Sequence, residues 1–589
     1  MHLRGQIIDI PNQRIFPGVI EIAEGKIVAV REDISVTDPG YLCPGFIDAH
    51  VHIESSMLTP PEFARIAVIH GTVGTVSDPH EIANVLGIEG VRYMQRLAAQ
   101  TPCKIHFGIP SCVPATNFET AGATLGPDAI EELCRDKSLL YLSEMMNFPG
   151  VIHRDPEVMK KIEIAQKHGK RIDGHAPGLR GEDLKKYISA GIETDHECFQ
   201  IDEAREKLSL GQKILIREGS AAKNFEELWP LLNEAPESCM LCSDDKHPDD
   251  LMEGHINQLC ARAIARGVPL FHVLRAACLN PVEHYGLRCG LLRPGDPADL
   301  IRLHDLISFQ VMETWIDGQC VARDGHSLLP KSQSPRTNKF HATTKVPSDF
   351  ALPIPPPLAP QGRDERPARP LRSAGALKPS APVIRVIEAL DGQIVTGSSF
   401  AEALIHDNCA VADPSRDILK ITVVNRYGAI AKGNGRPARF PNDHPGGTPE
   451  PHVPPAVAFV RGVGLKQGAI AASVAHDCHN IVAVGTSDED LARVVNLVIQ
   501  NEGGIALVGP DGQEDALPLP VAGLMSDGYA EDAAAGYARL TKAAKALGSS
   551  LHAPYMTLSF LALLVIPALK LSDLGLFDGT KFEFVPVLR

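Results

Sequence analysis

Eight apolar, β-rich runs punctuate the stretch that ends near residue 290, and segments with a helical apolar period separate them. The runs are "YLCPGFIDAHVH", "GTVGTVSDPH", "KIHFGIPSCVP", "LLYLSEMMN", "RIDGHAP", "IETDHEC", "KILIREGS" and "SCMLCSDD". Between them, Pro61–His70, Glu81–Ala99 and Pro156–His168 carry the three-and-four spacing of amphipathic helices. Eight β/α alternations predict an α/β fold built on a (β/α)8 TIM-like barrel over residues 45–290, with a doubly wound open sheet as the alternative.

The flanks read differently. "GQIIDI" and "GVIEIAEGKIVAV" are short β-like runs alternating with turns, and Glu24–Gly25 predicts a hairpin turn. A similar pattern returns at "GDPADLIRLHDL" and "VMETWIDGQCVARDG". Residues 1–44 and 291–330 are therefore expected to form one small split β-sandwich domain interrupted by the barrel. Residues 331–385, with "PIPPPLAPQGRDERPARPLRS", lack an apolar period and read as an extended proline-rich linker. From 386 to 589 strand-like runs return around an amphipathic helix at Asp488–Asn501, which predicts a C-terminal α/β domain. The apolar segment Met556–Leu569 is too short to span a membrane and is expected to be a buried helix.

Polar residues collect at the ends of the barrel runs. Tyr41–Ile47 reads as a strand, so Asp48, His50 and His52 share one face at its end. His80 ends the second run, Glu144 the fourth, His175 the fifth, His196 the sixth and Asp244 the eighth. A lone histidine at a strand end is more often a cap than a ligand. His80 apart, six such groups at the same end of five strands point instead to a metal site at the barrel mouth, where the strands' C-terminal ends converge. Four histidines and two carboxylates exceed the needs of one tetrahedral zinc and suit two adjacent divalent ions. Nitrogen and oxygen ligation fits manganese, iron or zinc alike. Cys239 and Cys242 form a lone CxxC without a second pair, which favours structural burial. "AHDCHN", residues 475–480, places His476 and His479 between two β-like runs and reads as a polar or substrate-facing loop.

Length and charge narrow the classes. A chain of 589 residues exceeds one ordinary core, so two or three domains are expected. A net charge of −15 argues against nucleic acid or anionic membrane as partner. The N-terminus does not read as a secretory signal, and thirteen scattered cysteines suit a reduced, cytoplasmic setting.

"PGFIDAHVHIESS" resembles the first-strand signature of the amidohydrolase superfamily. In order, "SDPHEIANV", "SEMMNFPGV", "DGHAPG", "TDHEC" and "SDDK" resemble the bacterial adenine deaminases, as do "VVNRYG" and "GAIAASVAHDCHNIVAVGTSDEDL" further on. The resemblance implies conversion of adenine to hypoxanthine and ammonia, a purine-salvage step, by a cytoplasmic homodimer. It implies two divalent ions per chain, manganese first, with iron or zinc as alternatives. By motif, His50 and His52 bind one ion with Asp244, His175 and His196 bind the other, and Glu144 bridges them. A bridging hydroxide would attack C6, with Asp244 carrying the proton. His80 and Glu81 are candidates for the acid near N1 or for holding the purine, and His476 and Asp477 for closing over it. Two patterns of other nucleobase deaminases are absent: HxE…PCxxC, and the HxxE glutamate after the fifth-run histidine. The alternative is another binuclear amidohydrolase acting on a cyclic amide or N-acyl substrate; a non-catalytic scaffold would have lost ligands, and all six positions are filled.

Overall fold

A computed structural model of the protein describes residues 1–354, 382–428 and 454–589. Four strands open the chain: β1 (His2–Asp9), β2 (Arg14–Ala23), β3 (Lys26–Glu32) and β4 (Tyr41–Pro44). Glu24 and Gly25 both have positive φ, which makes the β2–β3 turn the kind that matches strand twist. The apolar run through residue 47 is not one strand. It breaks at Gly45, where a Cβ would lie 2.2 Å from a Val73 methyl. β4 stays in the first sheet, and β5 (Phe46–Val51) leaves it.

The remaining seven runs each contain one strand: β6 (Thr72–Ser77), β7 (Lys104–Phe107), β8 (Tyr141–Met145), β9 (Arg171–Gly174), β10 (Thr194–Asp195), β11 (Lys213–Arg217) and β12 (Cys239–Cys242). β5 pairs in parallel with β6, and β6 with β7. Leu140 N–H donates to Phe107 O and Ile109 N–H to Tyr141 O, which joins β7 to β8. β8 pairs with β9, and Glu193 N–H donates to Ile172 O beside β10. β10, β11 and β12 pair in parallel. Asp244 N–H then donates to His50 O at 2.9 Å, so the pairing returns to β5. Cys239 and Cys242 lie buried on β12 as free thiols.

Helices fill the intervals, with two departures from the expected pattern. Glu81–Ala99 forms two helices, His80–Leu86 and Ile88–Ala98, because Gly87 between them takes φ +65. Met556–Leu569 is buried but helical only at its start, in the helix Pro554–Phe560; Leu569 already begins a strand.

After β12 the chain rejoins the first sheet through β13 (Leu300–Leu303), β14 (Val311–Ile316), β15 (Gln319–Arg323) and β16 (His326–Ser327). The strand order is β16-β15-β14-β13-β4-β1-β2-β3. Leu42, Leu300 and Trp315 meet Ile7 and Ile20 in its core. Of the stretch read as a proline-rich linker, residues 355–381 lie outside the described residues. Residues 331–354 pack on the protein: Ser334 Oγ donates to Thr59 Oγ1, and Phe350 is fully buried.

A second eight-stranded sheet follows, almost wholly antiparallel. Its order is Gly397–Glu402, Val383–Glu388, Ala456–Arg461, Leu419–Val424, Ile481–Gly485, Ala469–Ala472, Gly504–Val508, Glu514–Pro518. Alternation along the strands decides what each face covers. Ala469, Ala471 and Ala483 pack under the helix Asp488–Gln500. Ile470, Ala472, Val482 and Val484 point the other way, into the same apolar cluster as Ile53, Met57 and Leu58 of the loop after β5. That packing lays the sheet over the end of the strands where the polar residues gather. Among the described residues no helix is long and apolar enough to cross a membrane.

Candidate active site

His50 lies within β5 and His52 just beyond it, where the chain turns into a short helix. Glu144 is the penultimate residue of β8. His175 and His196 follow β9 and β10 by one residue, and Asp244 follows β12 by two, in a positive-φ turn. All six are buried. Asp48 turns away from the histidines and accepts bonds from Ser243 N–H (2.9 Å) and from His255 Nε2 (2.8 Å). It thereby ties the first strand to the eighth.

The two oxygens of Glu144 face different histidine pairs. Oε1 lies 3.1 Å from His52 Nε2 and 3.8 Å from His50 Nε2. Oε2 lies 2.5 Å from His175 Nδ1 and 3.1 Å from His196 Nε2. Asp244 Oδ1 joins the first pair, at 3.2 Å from His52 and 3.7 Å from His50. His50 and His52 present their Nε2 atoms to each other at 3.2 Å. Donors bound about 2.1 Å from one ion sit roughly 3.0–3.4 Å apart in octahedral or tetrahedral geometry. Most of these separations are of that size, and the donor set is nitrogen and oxygen without thiolate. The exceptions are His50, slightly farther than this from Glu144 and Asp244, and His175, whose ring is at hydrogen-bond length from Glu144.

The electrostatics favour cations. Glu81, Glu144, Glu197, Asp244, Asp245 and Asp477 line one pocket, and Arg217 is its one lysine or arginine among the described residues. Burial would lower the His196 imidazolium, but the charge of Glu144 lifts it to about 9. Burial likewise opposes charge on His52, yet its bonds to Asp244 and Glu144 hold it well above its usual range. His50, buried and stacked on His196 at 3.9 Å, falls well below. Burial raises Asp244, and the Arg217 guanidinium more than reverses that. Carboxylates in such excess, buried together, suit divalent ions as counter-charges.

Arg217 and Glu197 escaped the sequence reading. Arg217 ends β11 and donates through Nη1 to Asp244 Oδ2 at 2.6 Å and through Nη2 to Glu197 Oε2 at 2.9 Å. Asp78 was missed as well. It accepts from His80 Nδ1 at 3.0 Å and from Ser143 Oγ at 2.7 Å, fixing the second strand end against β8. Glu197 carried a readable signal, since it stands beside His196 in "TDHEC"; Arg217 at a strand end looks like a solvated cap.

His80 and Glu81 open the helix after β6. His80 stands between the metal-type cluster and the C-terminal loop, 3.4 Å from Glu144 Oε1 and 3.5 Å from Asp477 Oδ1. Both oxygens of Glu81 are engaged: Oε1 by His476 Nδ1 and Oε2 by His479 Nε2. The loop 475–480, between Ala469–Ala472 and Ile481–Gly485, thus closes onto the helix that follows β6. His476 and Asp477 line the same pocket as His52 and Glu144, and Met146, Ile394, Phe560 and Leu563 supply its apolar wall. Asn480 Nδ2 bonds Thr120 O, and Tyr427 OH bonds Cys478 O at 2.5 Å, so the loop is held from both sides.

Residues 41–321 match the amidohydrolase family, and residues 450–583 match the adenine deaminase C-terminal domain. The chain is 52% identical to an adenine deaminase of Salinibacter ruber over 584 residues, covering 99% of this chain and 98% of that one. It is 50% identical to an adenine deaminase of Sulfurovum sp. over 590 residues, covering all of both, and 50% identical to one of Methanosarcina mazei over 582. With likeness of that order along its whole length, the chain belongs to the adenine deaminase family of amidohydrolases.

Proposed function

We propose that this site hydrolyses adenine to hypoxanthine and ammonia, with two divalent ions at the mouth of a closed (β/α)8 barrel. The carrying observation is Glu144, each of whose oxygens faces one histidine pair. His50, His52 and Asp244 would hold one ion, His175 and His196 the other, with Glu144 shared between them. When bound, such ions, manganese first with iron or zinc as alternatives, would supply a water of lowered pKa and a counter-charge for the attacked purine.

The chain's own groups do the rest. Asp244, oriented by Arg217, accepts the proton of the water that attacks C6. His80, bonded to Asp78, stands on the side of the cluster facing Asp477 and supplies the acid near N1. Met146, Ile394, Phe560 and Leu563 cover the ring, and His476 and Asp477 close the pocket and exclude water. The first sheet, residues 1–44 and 291–330, is a split β-sandwich domain that supports the barrel, residues 386–589 form the C-terminal α/β domain, and the enzyme works as a cytoplasmic homodimer in purine salvage.

Ammonia release from adenine, with and without added manganese, tests the reading. A panel of dihydroorotate, hydantoin and N-acetyl sugars tests the alternative, a cyclic-amide or N-acyl hydrolase. Turnover of one of these and none of adenine would overturn the proposal.

A further inference from the structure

We infer that His476 is the acid that protonates the departing amine, and that Glu81, reaching across from the barrel, is the positioning residue that makes it one. The inference rests on the adenine reading above.

The proton positions follow from the bonds. Ala475 N–H donates to His479 Nδ1 at 3.2 Å, so that nitrogen is an acceptor and carries no proton. His479 therefore bears its hydrogen on Nε2 and donates it to Glu81 Oε2. This bond leaves Glu81 an anion with one oxygen still open. That oxygen accepts from His476 Nδ1, which must carry a hydrogen to make the contact. The tautomer of His476 is thus set, and Nε2 is left as the nitrogen that exchanges a proton. It is buried without a hydrogen-bond partner, on a ring that lines the pocket with Glu144, Asp244 and Asp245. The Phe560 ring stacks on the imidazole at 4.9 Å and 18°, which fixes its plane. A carboxylate, an oriented imidazole and a free Nε2 on a ring lining the pocket form the arrangement of a general acid–base group with its orienting carboxylate. Asp477 next to it has one free oxygen, and its other faces His80 Nε2 at 3.5 Å.

The groups facing His476 favour its charged form. Burial opposes the imidazolium, but Glu81, Asp245 and Asp477 raise it to about 9, with His479 and His247 the neighbouring imidazoles.

In the proposed step the water oxygen has bonded to C6. The C6–N6 bond breaks, its electron pair goes to nitrogen, and N6 takes the proton from His476 Nε2. Ammonia leaves and the oxygen stays as the C6 carbonyl. Of the two water protons, one ends on N1 of hypoxanthine and the other restores His476.

A leaving group that needs no proton separates this role from mere support. 6-Chloropurine undergoes the same attack but expels chloride. His476→Asn keeps an amide donor near the Nδ1 position and removes the acid. Its kcat on adenine is expected to fall about 10²–10⁴-fold, with a much smaller fall on 6-chloropurine and unchanged metal content. Glu81→Gln should shift the adenine-to-chloropurine ratio the same way, less far, and decides the matter if His476→Asn does not fold. Equal losses on both substrates, or no loss on adenine, would overturn the assignment. Failure of the parent enzyme to release ammonia from adenine would instead sink the underlying reading, and shows before any variant is made.

Discussion

Arg217→Met keeps the volume of the side-chain stem and removes its charge. In the parent, Arg217 is almost fully buried and serves two carboxylates at once, Asp244 and Glu197, while Nε donates to Asn224 Oδ1 at 3.1 Å. The variant leaves both carboxylates buried without their cation. Breaking a buried pair by deleting one partner costs about 3–5 kcal/mol, mostly the desolvation of the charge left behind. For 589 residues unfolding together, an entropy near 2.1 cal/mol/K per residue gives about 1.2 kcal/mol/K, hence a fall in Tm of about 2–4 °C. The fall is about twice that if the barrel unfolds alone. The assay is calorimetry on chelator-treated protein, because a bound ion would itself compensate Asp244. Adding Glu197→Gln to Arg217→Met should recover part of the loss by removing one stranded charge. Arg217→Lys should not recover turnover, since a single ammonium cannot reproduce the forked contact. A metal-free Arg217→Met protein melting within about 1 °C of the parent would refute the reasoning.

Glu144→Gln preserves shape but loses the charge shared between the two histidine pairs; metal analysis should find at least one ion lost, and full occupancy would end the bridging role. Asp244→Asn should lower kcat by about 10²–10⁴-fold with little change in KM, and near-normal turnover would remove it as proton carrier. Lys570 is fully buried, donating only to the Ile394 and Phe560 carbonyls (2.7 and 2.8 Å), and burial lowers it to about 7. Between about pH 7 and 10.5 the unfolded chain then binds the extra proton, so stability rises with pH by up to about 1.4 kcal/mol per unit. Lys570→Met should flatten that rise in thermal midpoints taken from pH 7 to 9.5, and a parent curve that already falls there would contradict the sign.

The strands were legible because each barrel run is a short, self-contained signal: an apolar core position ending on a polar residue. The metal-type residues were legible for the same reason, since a histidine or acid at a strand end is a local feature. What local pattern could not reveal were the breaks. Pro44 and Gly45 sit inside an apolar run, and only Val73, packed against Gly45 from the second strand, explains why the chain must divide there. Gly87 splits a helical period that otherwise continues to Ala98. The segment after Phe560 is apolar enough for helix, yet Leu569 is claimed by a strand pairing with Gly575–Asp578.

The support of the site was hidden for a different reason: its partners are remote in sequence. Glu81 finds His476 and His479 across 395 and 398 positions, and Arg217 reaches Asp244 across 27. An acid opening a helix has an ordinary explanation in the helix dipole, and the first half of the chain contains nothing that would displace it. The displacement comes from the alternation in the second sheet. One face of Ala469–Ala472 and Ile481–Gly485 is occupied by a helix, so the other must cover apolar surface, and the loop joining those two strands is carried to the barrel mouth. Glu81 then acquires two imidazoles in place of a dipole. On this account the second half of the chain is a part of the reaction site. A barrel produced without residues 386–589 should still bind metal through its six ligands while losing turnover of adenine. Retained turnover in that fragment would mean the roof is dispensable.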